Sequence, residues 1–242
     1  MIQSLALLLA LVQPAASPSL SAEERALTAF IDRENPHALA LLERIVNINS
    51  GTMNLKGVRE VGAVLRPEFD ATGFRTEWVD GARFERAGHL VAEHPGPGPR
   101  ILLIGHLDTV FESDSPFQRF EPIGATAAKG PGITDMKGGN VVMLQALKAL
   151  HATGALKSMN VVVVLTGDEE AAGRPLALAR AALVKAAEGA QAAIGFEDGA
   201  SNPKTAVIGR SSLTPACSAR RRSRRTCPAT SSLRPAAFPC RH

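Results

Sequence analysis

This sequence predicts an α/β fold whose sheet is covered by helices on both faces, and three observations predict it. Apolar runs suited to buried strands alternate along the chain with stretches of helical period. One run, Val161-Val162-Val163-Val164-Leu165, is apolar at every position, as a central strand with helices above and below must be. The charged clusters Gly105-His106-Leu107-Asp108 and Gly167-Asp168-Glu169-Glu170 follow such runs, and Gly132-Ile133-Thr134-Asp135-Met136-Lys137-Gly138-Gly139 precedes a helical stretch. Strand ends are where open α/β sheets place their ligand-binding groups. At 242 residues and 45% apolar content, the chain is long enough to bury a core in one or two domains.

The elements follow in order. The apolar run Ser4 to Val12 is too short for a stable bilayer span and fits the apolar region of a signal peptide, with Ala15, Ala16 and Ser17 as cleavage-site residues. Residues 1–21 are therefore expected to direct export, periplasmic or secreted; a frayed apolar terminus is the bland alternative. From Ser21 to Val46, Leu27, Phe30, Ile31, Leu39, Leu42 and Ile45 recur at helical spacing, with Asn35-Pro36 interrupting, so two helices or one kinked helix is expected. Gly57 to Phe69 is a second amphipathic helix and Phe74 to Val79 a strand. His89 to Glu93 and Arg100 to Ile104 are strands joined by the turn Pro95-Gly96-Pro97-Gly98-Pro99. Gly138 to Leu150 is helical, Asn160 to Leu165 a strand, Leu176 to Ala187 helical, and Gln191 to Phe196 and Lys204 to Ile208 are short strands.

Composition changes after Arg210. Ser211 to His242 holds seven arginines and no Lys, Asp or Glu, which leaves 20 basic against 23 acidic side chains, a net of −3, in residues 1–210. The formal charge of +4 thus belongs to the tail and offers no basic face for nucleic acid on the main body. Cys217, Cys227 and Cys240 also lie in the tail, so neither a disulfide framework nor a thiolate metal site can form elsewhere. Residues 22–210 are expected to form the folded domain and 211–242 to be disordered, since the tail lacks periodicity and apolar surface to bury.

The charged clusters carry the chemistry. In His106-Leu107-Asp108, residues two apart on an extended segment face one side, so a carboxylate can sit beside the imidazole and orient it; a surface turn is the plain alternative. Asp135 lies 29 positions later on a glycine-rich turn, as a bridging metal ligand or simply as a helix N-cap. Asp168, Glu169 and Glu170 repel one another at a strand end unless a cation or solvent intervenes, though a solvated helix start would also tolerate them. Adjacent glutamates permit one to bind metal while the other handles protons. Glu197 and Asp198 add a further pair after Ala193-Ile194-Gly195-Phe196.

In order and spacing, His106-Leu107-Asp108-Thr109-Val110-Phe111, Asp135-Met136-Lys137-Gly138-Gly139 and Gly167-Asp168-Glu169-Glu170 resemble the co-catalytic zinc aminoacylase and carboxypeptidase metallopeptidase family. That family includes glutamate carboxypeptidase, succinyl-diaminopimelate desuccinylase and peptidase T. The resemblance covers about Ile45 to Arg210, with Asn49-Ser50-Gly51-Thr52 and Gly73-Phe74 included. It implies a three-layer α/β/α catalytic domain with a mixed, mostly parallel sheet, and two zinc ions for which cobalt or manganese can substitute. His106 would bind the first zinc, Asp135 would bridge, Glu170 would bind the second, and Glu197, or alternatively Asp198, would complete the first. Glu169 would be the catalytic base and Asp108 would orient His106. Two such cations activate a water and polarise an amide carbonyl, which implies hydrolysis of small peptides or N-acyl amino acids, with no nucleic acid and no membrane span.

The resemblance also implies a lid or dimerisation domain, a homodimer and a further zinc-binding histidine, none of which is legible after Arg210. A truncated or frameshifted ending is therefore expected. Shifting permitted codons of Arg221 to Pro235 by two bases spells a histidine-bearing segment similar to such a lid. The rival expectation is a non-catalytic metal-binding remnant. A phosphate-binding α/β protein stands third, because Gly130 to Gly139 lacks a P-loop arrangement.

Overall fold

A computed structural model describes residues 20–197. Helix α1 spans Ala22–Val46 and is capped by Ser21, whose hydroxyl accepts from the Glu24 N–H at 3.1 Å while Glu24 Oε2 accepts from the Ser21 N–H at 2.7 Å. Asn35-Pro36 does not divide it: Pro36 sits inside one continuous helix. A proline removes one intrahelical donor. Here the buried stripe Ala38, Leu41 and Ile45, packed in the same core as Leu144 and Leu147, offsets that loss. Helix α2 spans Leu55–Asp70 behind the N-cap Asn54, whose side chain accepts from the Gly57 N–H at 3.2 Å.

Five strands form the main sheet: β1 (Arg75–Asp80), β2 (Gly88–His94), β3 (Arg100–His106), β6 (Asn160–Thr166) and β7 (Ala192–Gly195), in the order β1-β2-β6-β3-β7. The pairs β3·β6 and β3·β7 are parallel, while β1·β2 and β2·β6 are antiparallel, so β2 alone runs against the other four. The uniformly apolar β6 is the central strand. Leu103, Val161, Val163 and Leu165 face α1, α2 and α3 (Gly138–Ala152), whereas Leu102, Val162 and Val164 face Ala186 of α5 (Ala181–Ala187). Three layers result, with helices on both faces of the sheet.

Some expectations change. The Pro-Gly turn joins β2 to β3, yet the two strands are not neighbours, because β6 enters between them. The helix expected over Leu176 to Ala187 is two pieces, α4 (Leu176–Ala179) and α5, divided at Arg180, whose guanidinium is tied to Asp168. A short hairpin, β4 (Glu121–Ile123) with β5 (Ala127–Lys129), carries too few apolar residues to have shown in the pattern. The signal peptide apart from its last residues, the strand Lys204 to Ile208, Asp198 and the tail 211–242 lie outside the described residues. Among the described residues, no helix is long and apolar enough to cross a membrane.

Candidate metal centre

Strand register assembles the site. In the parallel pair β3·β6, His106 stands opposite Thr166, so the residues just beyond each strand, Asp108 and Glu169-Glu170, emerge at one sheet edge. On the other side of β3, Ile104 pairs with Gly195. Continuing that register by two residues sets Glu197 opposite His106.

The buried His106 ring is the hub. Its Nε2 lies 2.9 Å from Asp135 Oδ1 and 3.5 Å from Glu197 Oε1. Its Nδ1 lies 2.9 Å from the main-chain oxygen of Asp108 and 3.5 Å from that residue's Oδ1. The closest hold on the imidazole is therefore a backbone carbonyl rather than the Asp108 carboxylate. Two further contacts fix the end of β3: Asn140 Nδ2 donates to the His106 carbonyl at 2.6 Å, and the His106 N–H donates to Met136 Sδ at 3.2 Å.

Asp135 is not an N-cap. Its backbone is extended (φ −123, ψ 97), helix α3 starts three residues later, and Lys137 precedes that helix without a side-chain cap. Gly132, at φ +71, turns the chain in a way an L side chain rarely permits, and the Asp135 carboxylate is left facing the imidazole. Lys137 is fully buried, and its Nζ donates to the Ile48 carbonyl at 2.9 Å. Burial alone pulls that amine down to about 7.

The three consecutive carboxylates separate. Asp168 turns inward, where its Oδ1 accepts from Arg180 Nη1 at 2.7 Å and its Oδ2 from the Gly173 N–H at 2.8 Å. Arg180 is thus the cation that relieves this residue. Glu169 and Glu170 stay on the site side, in a turn rather than a helix start. Their N–H groups donate to Asp108 Oδ1 at 3.0 Å and Oδ2 at 3.1 Å, and Thr52 Oγ1 adds a donor to Oδ2 at 2.7 Å. Behind them, the Gly167 N–H donates to His89 Nδ1 at 3.2 Å, so the proton is on Nε2, which donates to the Ala179 carbonyl at 2.8 Å.

Two groups of potential ligand atoms share His106: His106 with Asp135 and Glu197, and His106 with Glu169 and Glu170, each set lying within 4.8 Å. Asp135 and Glu170 fall in different groups but line the same cavity. Burial depresses the His106 imidazole, but the neighbouring Asp108, Glu197 and Asp135 reverse this and raise it to about 9. Burial, then the Asp135 charge, pushes Glu170 up to about 7, and Glu197 rises chiefly by burial. Burial also works against Asp108 ionisation, but the adjoining His106 and Thr52 hold its carboxyl below the ordinary value.

Sequence reasoning missed Arg180, His89, Asn140 and the buried Lys137. Arg180, His89 and Asn140 stand outside the motifs, and Lys137, although inside Asp135-Met136-Lys137-Gly138-Gly139, gives no sign there of its burial. Thr52 was within reach, because it belongs to the Asn49-Ser50-Gly51-Thr52 stretch at the start of the resemblance.

Residues 102–221 match the model of peptidase family M20/M25/M40. The match holds His106, Asp135, Glu169, Glu170 and Glu197, starts well after Ile45 and runs past Arg210. The chain is 33% identical over 142 residues to carboxypeptidase G2 of Pseudomonas sp. (strain RS-16), covering 57% of this chain and 33% of that protein. It is 33% identical over 86 residues to succinyl-diaminopimelate desuccinylase of Methylocella silvestris, covering 34% of this chain and 22% of that protein. The chain thus spans no more than 33% of the length of either relative. Among solved structures, human carnosine dipeptidase 1 shares the fold at a TM-score of 0.58 and 20% identity, over 71% of this chain and 40% of that one. The Sulfolobus solfataricus metallo-carboxypeptidase Sso-CP2 shares it at 0.53 and 20% identity, over 67% and 37%.

Proposed function

We propose that this chain, which carries a peptidase family M20/M25/M40 domain segment over residues 102–221, serves a metal-dependent hydrolase acting on the amide bonds of small peptides or N-acyl amino acids. The observation that carries this reading is the grouping of one imidazole and two carboxylates, His106, Asp135 and Glu197, with ligand atoms within 4.8 Å of one another. Such a nitrogen and oxygen donor set suits zinc, with cobalt or manganese as substitutes. His106, Asp135 and Glu197 would hold one ion, and Glu170, which lines the same cavity as Asp135, would contribute to a second. Bound there, a divalent cation polarises an amide carbonyl and lowers the pKa of a water.

The remaining roles fall to the chain itself. Glu169 takes the proton of the attacking water and delivers it to the departing amine, which demands a carboxylate beside the ligands but free of them. Asp108 holds Glu169 in place through its backbone N–H. The names of the relatives, a carboxypeptidase and a desuccinylase, support the substrate class. Export rests on the apolar run Leu5 to Val12 and is checked by cell fractionation.

A second reading, metal binding without turnover, is favoured by one observation: the second ligand group draws on Glu169 itself. A base consumed as a ligand cannot carry protons. The full chain with added zinc, assayed on dipeptides and N-acyl amino acids, separates the readings. Hydrolysis that Glu169→Gln abolishes while metal content stays unchanged supports the enzyme. Loss of metal in Glu169→Gln, with no hydrolysis by either protein, supports the second reading.

A further inference from the structure

A cavity of 390 Å³ is lined by the candidate ligands Asp135 and Glu170 together with the apolar side chains Val110, Phe111, Phe117 and Ile133. Phe111 and Phe117 meet edge to face at 5.1 Å between ring centroids, which fixes both rings in the wall. Val110 is 61% exposed, although it directly follows the buried run Leu107 to Thr109. An apolar side chain left open beside two aromatic rings and two acids is the composition of a ligand pocket: mostly apolar, with a few polar groups at one end.

Charge narrows what can enter. Among the described residues, Lys129 is the only cationic side chain lining this cavity, and its Nζ is already paired with Glu121 Oε2 at 2.8 Å. An anionic group placed against Val110, Phe111 and Phe117 would lose its hydration and find no unpaired cationic side chain among the described lining residues in return. An aliphatic or aryl group would only shed water from apolar surface.

We propose that this cavity receives an uncharged apolar or aryl group of the amide substrate, attached next to the scissile bond, and that Val110, Phe111 and Phe117 set this preference. The proposal rests on the reading of the adjoining carboxylates as the reacting site, and it names a substrate class for that site. Any carboxylate of the substrate must then be recognised elsewhere.

The test is calorimetric or saturation-transfer binding of three neutral-amide ligands, N-phenylacetyl-, N-acetyl- and N-succinylglycinamide, to the full chain with and without zinc. The phenylacetyl compound should bind at least about 10-fold more tightly than the succinyl compound, within the range that apolar pockets discriminate. Val110→Asn should weaken phenylacetyl binding several-fold without changing zinc affinity, and Val110→Arg should reverse the preference towards succinyl. Because Val110 is exposed, neither variant disturbs the core. Equal or tighter binding of the succinyl compound, no detectable binding of any ligand, or a ratio indifferent to both variants overturns the proposal. Preference intact in a protein that binds no zinc leaves the cavity standing and sinks the metal reading. Zinc bound without the preference does the reverse.

Discussion

The carboxylate of Asp108 accepts the backbone N–H of Glu169 at 3.0 Å, and through that bond the acidic turn after β6 hangs from the end of β3. Asp108 is fully buried and spends both oxygens on this turn and on Thr52. Its job is to place Glu169 and Glu170 against His106. Asp108→Asn keeps the shape but leaves one N–H without its charged acceptor. Zinc affinity should fall about 10- to 100-fold, as when partners of metal ligands are altered elsewhere. Competition with a chromophoric chelator measures this, and unchanged affinity would mean that the turn holds itself.

Zinc uptake should release protons. In metal-free protein the His106 imidazole is raised to about 9, so at pH 7 it carries a proton that a metal must displace. Affinity should therefore climb as pH rises from 6 towards about 9, with Glu170, near 7, adding to the lower part of the rise. Calorimetry in two buffers of different ionisation enthalpy counts the protons. A release of zero at pH 7 would show that His106 is not a ligand.

Gly139 makes room for the strand end that carries Glu197. A Cβ built at Gly139 would stand 1.9 Å from the Phe196 carbonyl oxygen, which is closer than atoms can approach. Gly139→Ala should push Glu197 away from His106 and weaken zinc binding, while Gly154→Ala, a control glycine with nothing within 4 Å but a φ of +79, should cost only stability. Chelator competition beside urea denaturation separates the two effects. Equal zinc affinity in both variants would remove Glu197 from the ligand set.

Burial pulls the imidazole of His89 below its ordinary value of 6.5. The unfolded chain then binds this proton at a higher pH than the folded chain does, so stability falls as pH drops below about 6.5. His89→Gln removes that proton and should flatten the acid limb of a plot of stability against pH. Urea midpoints between pH 5 and 8 check it; an unchanged slope would assign the limb to other groups.

Much of this arrangement was legible in the sequence because two signals agreed. Uniform apolarity placed β6 at the centre of the sheet, and glycine-flanked charges marked the strand ends where His106, Glu169 and Glu170 emerge and the turn before α3 that carries Asp135. Partner choice between strands was not legible: β2 and β3 are joined by a short turn, and nothing in either reveals that β6 lies between them. Asn35-Pro36 left two helices and one kinked helix both open, and a single helix results because a buried stripe outweighs one lost hydrogen bond. The inward turn of Asp168 also escaped, since it depends on Arg180, 12 residues away at the break between α4 and α5. Local pattern reports which residues can do chemistry, and long-range pairing decides which of them meet.

Equilibrium dialysis of the full chain against zinc tests the metal centre most directly. One ion per chain should bind tightly, through His106, Asp135 and Glu197, and be lost in His106→Ala while Glu169→Gln retains it. A chain that binds zinc no better than His106→Ala, or that holds two ions equally tightly, is incompatible with the site as assigned.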